Sequence, residues 1–291
     1  MWLERTLLLL ILLNVGQTEP SCDFPESLCF DAEPALLNLD LLEAALNNSG
    51  TSSTTIEPAV LVSLVNELSV AIKESYGKGY KTCADVPAGS SSGLYLLEGE
   101  FREPTVAYCD MKYNGGGWLV FQKRFNNQTV FQRPWNSYKL GFGELASGEF
   151  WWGLDNLYRI TNLRPHELTI ILEDFNGRTV FANYKTFQIG DETELYRLNV
   201  LGAYNGTAGD GMRRCQNMYF TTTDRDNDLY TLNCAEVYTG AWWYSACQDS
   251  NLNGQYLNGN TTLYGKGITW AQFTGQDYSL KATKMMIRRI P

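Results

Sequence analysis

Beyond Gly202 the hydrophobic periodicity of this chain dissolves into Gly, Asn, Asp and Tyr, and a stretch that long and irregular cannot hold itself together with ladder hydrogen bonds alone. It needs covalent cross-links, a bound metal, or both. The chain has seven cysteines, which suits an oxidising compartment where bridges persist. Its first residues agree: Arg5 precedes the apolar run Thr6–Leu13 and then the polar Asn14-Val15-Gly16-Gln17. That run is too short to span a bilayer and has the layout of a secretory signal peptide, assigned to 1–17. The expectation is a secreted, extracellular protein with no membrane insertion. Four Asn-x-Ser/Thr triplets, at Asn47, Asn127, Asn205 and Asn260, are candidate glycan acceptors in such a protein.

Charge narrows the partners. With 23 Lys and Arg against 32 Asp and Glu the net charge is −9, which disfavours nucleic acid and anionic membranes. Glycans or cell-surface proteins remain as partner classes. Two textures divide the mature chain. Residues 18–76 are poor in aromatics, and Leu61, Val65, Leu68 and Ile72 mark one stripe of a short helix behind Pro58. Two heptads do not hold a coiled coil by themselves. A helix packed on its own domain and an oligomerising stalk are both open, as are local and interchain pairing of Cys22 and Cys29. A disulfide-linked or helix-mediated homo-oligomer is the expectation.

From residue 77 to 291 aromatics, glycines and apolar alternation take over. Trp118–Gln122, Leu168–Glu173 and Arg178–Tyr184 read as strands, the last two joined through Asn176-Gly177. Phe187–Ile189, Tyr196–Leu198 and Met285–Ile287 are weaker strand candidates. Leu154, Leu157, Tyr158 and Thr161 line one face of a short helix. The fold class is α+β: an antiparallel sheet, few helices and a loop-built site. Trp118, Trp151, Trp152, Trp242, Trp243 and Trp270 could be mistaken for a sugar-stacking platform, but core is the better assignment for most large aromatics.

Asp224-Arg225-Asp226-Asn227-Asp228 sets alternating carboxylates in a loop, the hard-oxygen donor pattern that Ca²⁺ takes. It is not an EF-hand, since Leu229 and Ala235 stand where that loop needs Gly and Glu. No HExxH, G-x-S-x-G or P-loop pattern occurs, and the sole histidine, His166, follows Pro165 as a surface or packing residue. The chain is therefore read as a binding protein, not an enzyme.

This acidic loop is followed by Cys234 and Cys247 enclosing Val237–Tyr244, and then by Ser250–Tyr256. With Gly93-Leu94-Tyr95, Asn114–Trp118, Gly148–Leu154 and Leu201–Asp210 in the same order and spacing, the 77–291 segment closely resembles the fibrinogen C-terminal domain family, including arthropod fibrinogen-related lectins, tachylectin-5 and ficolins. The resemblance implies pairing of Cys83 with Cys109 and of Cys234 with Cys247, and leaves Cys22, Cys29 and Cys215 without assigned partners. It implies a Ca²⁺ site made by the carboxylates of Asp226 and Asp228 and the carbonyls of Tyr230 and Leu232, with Asp224 a nearby charge. It implies a cis peptide at Ala246–Cys247 and a ligand pocket walled by Arg214, Cys234, Tyr238, Cys247, Gln248, Tyr264, Gly265 and Gln276.

Two readings of function follow: a calcium-dependent, lectin-like innate-immune protein that binds microbial glycans or acetylated groups, or a signalling or adhesive ligand that docks on a receptor by protein contacts. The lectin-like members commonly have His at the position of Gln248 and an aromatic at that of Gln276. Exchanging flat rings for flexible amides should make simple N-acetylhexosamines poor ligands, with Kd near millimolar or weaker, about −4 kcal/mol.

Overall fold

A computed structural model describes residues 79–98 and 104–290. The proposed signal peptide, the 18–76 segment with its helical stripe, Cys22, Cys29 and Asn47 lie outside the described residues. Contacts gather Tyr80–Pro291 into one unit.

A ten-stranded, wholly antiparallel sheet organises that unit. Its main path runs β1 (Gly93–Leu97), β2 (Thr105–Asp110), β3 (Trp118–Arg124), β14 (Ala282–Arg289), β6 (His166–Glu173), β7 (Thr179–Ile189) and β8 (Leu198–Leu201). The short strands β4 (Phe142–Gly143) and β5 (Phe150–Trp151) branch from β3, and β9 (Tyr204–Gly206) pairs with β7. The C-terminal strand thus lies between β3 and β6. A bulge between Met285 and Met286 breaks its alternation, and Met285, Met286 and Ile287 are all buried. Helices α1 (Trp135–Leu140) and α2 (Leu154–Leu163) complete this part. Leu154, Leu157, Ile160 and Thr161 form the buried face of α2.

Several expectations change. β7 is one strand through Ile189, not two. Opposite it, Leu168 faces Tyr184 but His166 faces Phe187, so β7 has one residue more between the pairs. The inward set switches phase there, which makes the sequence look interrupted. Tyr196 is not in a strand: with Leu195 it adopts positive φ (47° and 53°), and β8 starts at Leu198. That backbone turns Tyr196 into the core, where its carbonyl accepts from Trp243 Nε1 at 2.8 Å. The β6–β7 hairpin forms around Asp174, whose Oδ1 accepts from Asn176 N and Arg178 N at 2.9 Å, with Gly177 at φ +80°. The six tryptophans singled out in the sequence are buried, at 0–3% exposure.

One buried ion pair joins the sheet to the irregular region. Arg124 and Glu149 side chains are 1% and 0% exposed and 3.4 Å apart. Arg124 also donates to the carbonyls of Leu252 (3.3 Å) and Gly254 (3.0 Å), and its guanidinium lies 3.8 Å from the Phe131 ring centroid. Glu149 accepts from Phe125 N (2.9 Å), Asn126 N (3.1 Å) and Thr129 N (3.2 Å). Glu149→Ala would orphan the guanidinium and three main-chain donors. The expected cost is about 3–5 kcal/mol, read as a lower denaturant midpoint at unchanged slope; an unchanged midpoint would contradict it.

His166 is the first residue of β6, only 2% exposed, with Nδ1 2.8 Å from the Arg164 carbonyl. It is a packing residue and not a surface one. Burial pulls its pKa below the ordinary 6.5, with Arg289 adding to the effect. The unfolded chain therefore binds the proton more readily. His166's contribution to stability is fully present above pH 6.5 and falls as pH drops from there toward the depressed native value. His166→Gln should flatten the pH dependence of stability in that window, measured by denaturant titrations at stepped pH.

Candidate functional site

Residues 211–280 have little regular structure, and side chains do the work that ladders do elsewhere. Helix α3 (Cys234–Val237) is capped by Asn233, whose Oδ1 accepts from Ala235 N at 2.8 Å. The Asn233 amide donates to the carbonyls of Thr222 (3.0 Å) and Thr223 (3.3 Å), tying the cap to the acidic loop. Asn251 donates from Nδ2 to the Tyr238 (3.0 Å) and Gly265 (3.1 Å) carbonyls and accepts from Tyr244 Oη at 2.8 Å. Asn253 donates to the Ala241 carbonyl at 3.0 Å. The two-residue strands β10 (Ser250–Asn251) and β12 (Thr269–Trp270) pair, as do β11 (Gly259–Asn260) and β13 (Tyr278–Ser279). Bridges Cys83–Cys109 and Cys234–Cys247 are both formed, the Ala246–Cys247 peptide is cis, and Cys215 is a buried free thiol. Burial raises the Cys215 pKa to about 12, so it is no nucleophile at neutral pH.

In the acidic loop the three aspartates have different surroundings. Asp224 Oδ1 accepts from Trp135 N (2.8 Å) at the start of α1 and from Thr222 Oγ1 (2.6 Å), a structural engagement. Asp228 accepts from Tyr230 N at 2.8 Å on Oδ1 and from Cys234 N at 2.9 Å on Oδ2, so each oxygen keeps a lone pair. Asp226 Oδ1 is 3.3 Å from Asp228 N, and no ion pair with Lys or Arg serves either carboxylate among the described residues. Burial raises the pKa of Asp228, and the neighbouring Asp226 charge adds to it against those N–H bonds. Among the described residues the Tyr230 and Leu232 carbonyls accept no main-chain hydrogen bond. Two carboxylates without a counter-charge, followed in sequence by two carbonyls that accept no main-chain bond, are oxygen donors of the type that a hard divalent cation takes.

The wall residues fall into two groups. Tyr238, Gln248, Gly265 and Gln276 come together: a Cβ on Gly265 would lie 2.7 Å from Tyr238 Cδ1 and 3.1 Å from Gln248 Nε2. The two glutamines brace three segments, since Gln276 Nε2 donates to the Gln248 carbonyl (3.2 Å), Gln248 Nε2 to the Gly265 carbonyl (3.3 Å), and Gly265 N to the Gln276 carbonyl (2.8 Å). Both Oε1 atoms are buried and accept no hydrogen bond. Cys234 and Cys247 form the bridge beside them, and Tyr264 projects at 60% exposure. Arg214 reaches residues on both sides of Cys247-Gln248 in sequence, donating to the Ala246 carbonyl at 2.8 Å and lying 3.6 Å from Asp249. Sequence reasoning missed the amide brace and the exposed apolar side chains Leu229, Tyr230, Leu232 and Leu263. Leu229, Tyr230 and Leu232 were legible as apolar residues inside an acidic loop, whereas the brace depends on contacts remote in sequence.

Comparison with known proteins fits this geometry. Residues 79–290 match the family described as fibrinogen beta and gamma chains, C-terminal globular domain, and the chain belongs to that family. It is 40% identical over 264 residues to human microfibril-associated glycoprotein 4, covering 89% of this chain and 98% of that one. Among solved structures it is similar to the fibrinogen-like globe domain of human ANGPTL2 (TM-score 0.70, 42% identity, 73% of this chain and 100% of that chain). It is also similar to lamprey fibrin D-dimer complexed with the peptide Gly-His-Arg-Pro-amide (TM-score 0.67, 28% identity, 88% of each chain).

Gly265 has φ +70° and no room for a side chain, whereas Gly177, at φ +80°, has nothing within 4 Å of its Cβ position. Gly177→Ala should cost only the left-handed backbone, about 1–2 kcal/mol. Gly265→Ala should cost more and change the near-UV circular dichroism of Tyr238; equal losses would mean that the ring yields freely.

Proposed function

We propose that this protein is a secreted recognition molecule that docks on extracellular protein or glycoprotein partners through the loops around the Cys234–Cys247 bridge, with Ca²⁺ ordering the acidic loop. The observation that carries this reading is the glutamine brace. It fills the wall where an acetyl group would need a flat ring, and it leaves two buried amide oxygens without donors. Both oxygens are closed to solvent, so an arriving acetyl group meets amides already committed to the main chain and no open ring face at these two positions. Exposed Leu229, Tyr230, Leu232, Leu263 and Tyr264 supply apolar contact area on the adjoining loops. Among the described residues no helix is long and apolar enough to cross a membrane. One relative is named for association with microfibrils, and another was solved with a peptide ligand. Both support protein docking over simple sugar capture.

Asp226 and Asp228 would hold the cation together with the Tyr230 and Leu232 carbonyls. The ion would neutralise the paired carboxylates and order an exposed loop that otherwise loses conformational freedom on binding. A lectin-like reading keeps one feature in its favour: Tyr238 and Tyr264 still offer ring faces beside the bridge.

Melting curves and calorimetry test these readings. Calcium should raise Tm of the unmodified protein; Asp226→Asn should reduce that gain while leaving Tm in chelator little changed, and Asp228→Asn should reduce it too but also lower Tm in chelator, because one of its two main-chain acceptors becomes a donor. Identical curves with calcium and chelator would remove the metal site. N-acetylglucosamine should bind with Kd near millimolar or weaker, about −4 kcal/mol; tight calcium-dependent binding of that sugar would restore the lectin reading.

A further inference from the structure

The loop after β3 exposes an aromatic ring and a sequon side by side. Phe125 is 37% and Val130 65% exposed, and Asn127 between them is exposed too. Their main chain is drawn inward. Phe125 N and Asn126 N donate to Glu149 Oε1, Thr129 N donates to Glu149 Oε2, and Thr129 Oγ1 donates to the Glu149 carbonyl at 3.3 Å. Asn126 is also committed locally, its Oδ1 accepting from Gln128 N at 3.1 Å, and Tyr256 Oη donates to the Phe125 carbonyl at 3.1 Å. The buried carboxylate therefore holds Phe125, Asn127 and Thr129 in one tight loop. Lys123 Nζ sits over the Phe125 ring, 4.9 Å from its centroid, and Phe125 as a residue remains over a third exposed.

We infer that Asn127 carries an N-linked glycan whose innermost sugar packs its C–H face on the Phe125 ring. Rigid aromatic faces take the apolar face of a pyranose, and the contact covers surface that water would otherwise meet. The occupant is supplied by the chain itself, two residues from the ring. The other described sequons lack that arrangement: Ala203 stands two residues before Asn205, and Asn258 two residues before Asn260. Asn205 and Asn260 are in addition on paired strands. The inference rests on the secreted reading above, because only a chain in the secretory pathway meets the glycosylation machinery.

The test uses the full chain secreted from eukaryotic cells. Peptide mass spectrometry should find Asn127 occupied. Trimming the glycan to its innermost sugar should keep Tm, and complete removal, or Asn127→Gln, should lower it by about 2–4 °C, the size one good contact gives in a domain of this length. In a Phe125→Leu background, which keeps an apolar side chain without the ring, Asn127→Gln should have no further effect. A bare Asn127, or an equal loss of Tm in both backgrounds, overturns the inference. If Asn127 is bare on chain recovered from the medium, secretion stands and only this inference falls; if no chain reaches the medium, the secreted reading falls and the inference with it.

Discussion

Arg124 and Glu149 are two charges removed from water, and neither is tolerable there without the other and without a full set of hydrogen bonds. The guanidinium reaches across to the Leu252 and Gly254 carbonyls, and the carboxylate gathers the amides of Phe125, Asn126 and Thr129. Gln122, two residues earlier on β3, adds a donor to the Leu252 carbonyl at 2.9 Å and to Asn253 Oδ1 at 3.2 Å. The end of one strand thereby fixes both the loop after it and the Leu252–Gly254 segment, more than 120 residues away. A buried pair of this kind contributes little net stability, but it penalises every arrangement in which its partners are misplaced.

From that anchor outward, the loop region is built like a core with its ladders replaced. Asn233, Asn251 and Asn253 each satisfy main-chain groups that no strand reaches. Indole and phenol rings fill the volume beneath: Trp243 packs edge-on against Phe220 and Phe187, and Trp242 is fully buried beside it. The Cys234–Cys247 bridge closes a short loop over this layer. The surface above is thus held in place before any ligand arrives, so a partner has little ordering entropy to overcome at the buried walls. The exposed acidic loop is the part that a cation would still have to order.

The Cys234–Cys247 bridge is formed, Tyr238 packs closely on Gly265, and two amides bind the main chain around them. Arg214 is engaged with the Ala246 carbonyl and Asp249. Fold membership by itself names no ligand; the side chains at a site decide what chemistry it favours.

Local patterns decided much by themselves. The apolar runs in Trp118–Gln122 and Leu168–Glu173, the Asn176-Gly177 turn and the stripe of α2 depend on neighbours within a few residues, so they were legible without a structure. The two cysteine pairs were legible as well, because their order and spacing match a family pattern. Other features were not. The central place of β14, the phase slip that makes β7 one strand, the inward turn of Tyr196 and the burial of His166 each depend on what packs opposite. Glu149 read as one residue of a motif, and Gln248 and Gln276 as altered pocket walls. Only the tertiary structure made one a buried anchor and the others a brace, because the cost of a buried polar group is settled by partners distant in sequence that fill, or leave empty, its hydrogen-bonding positions.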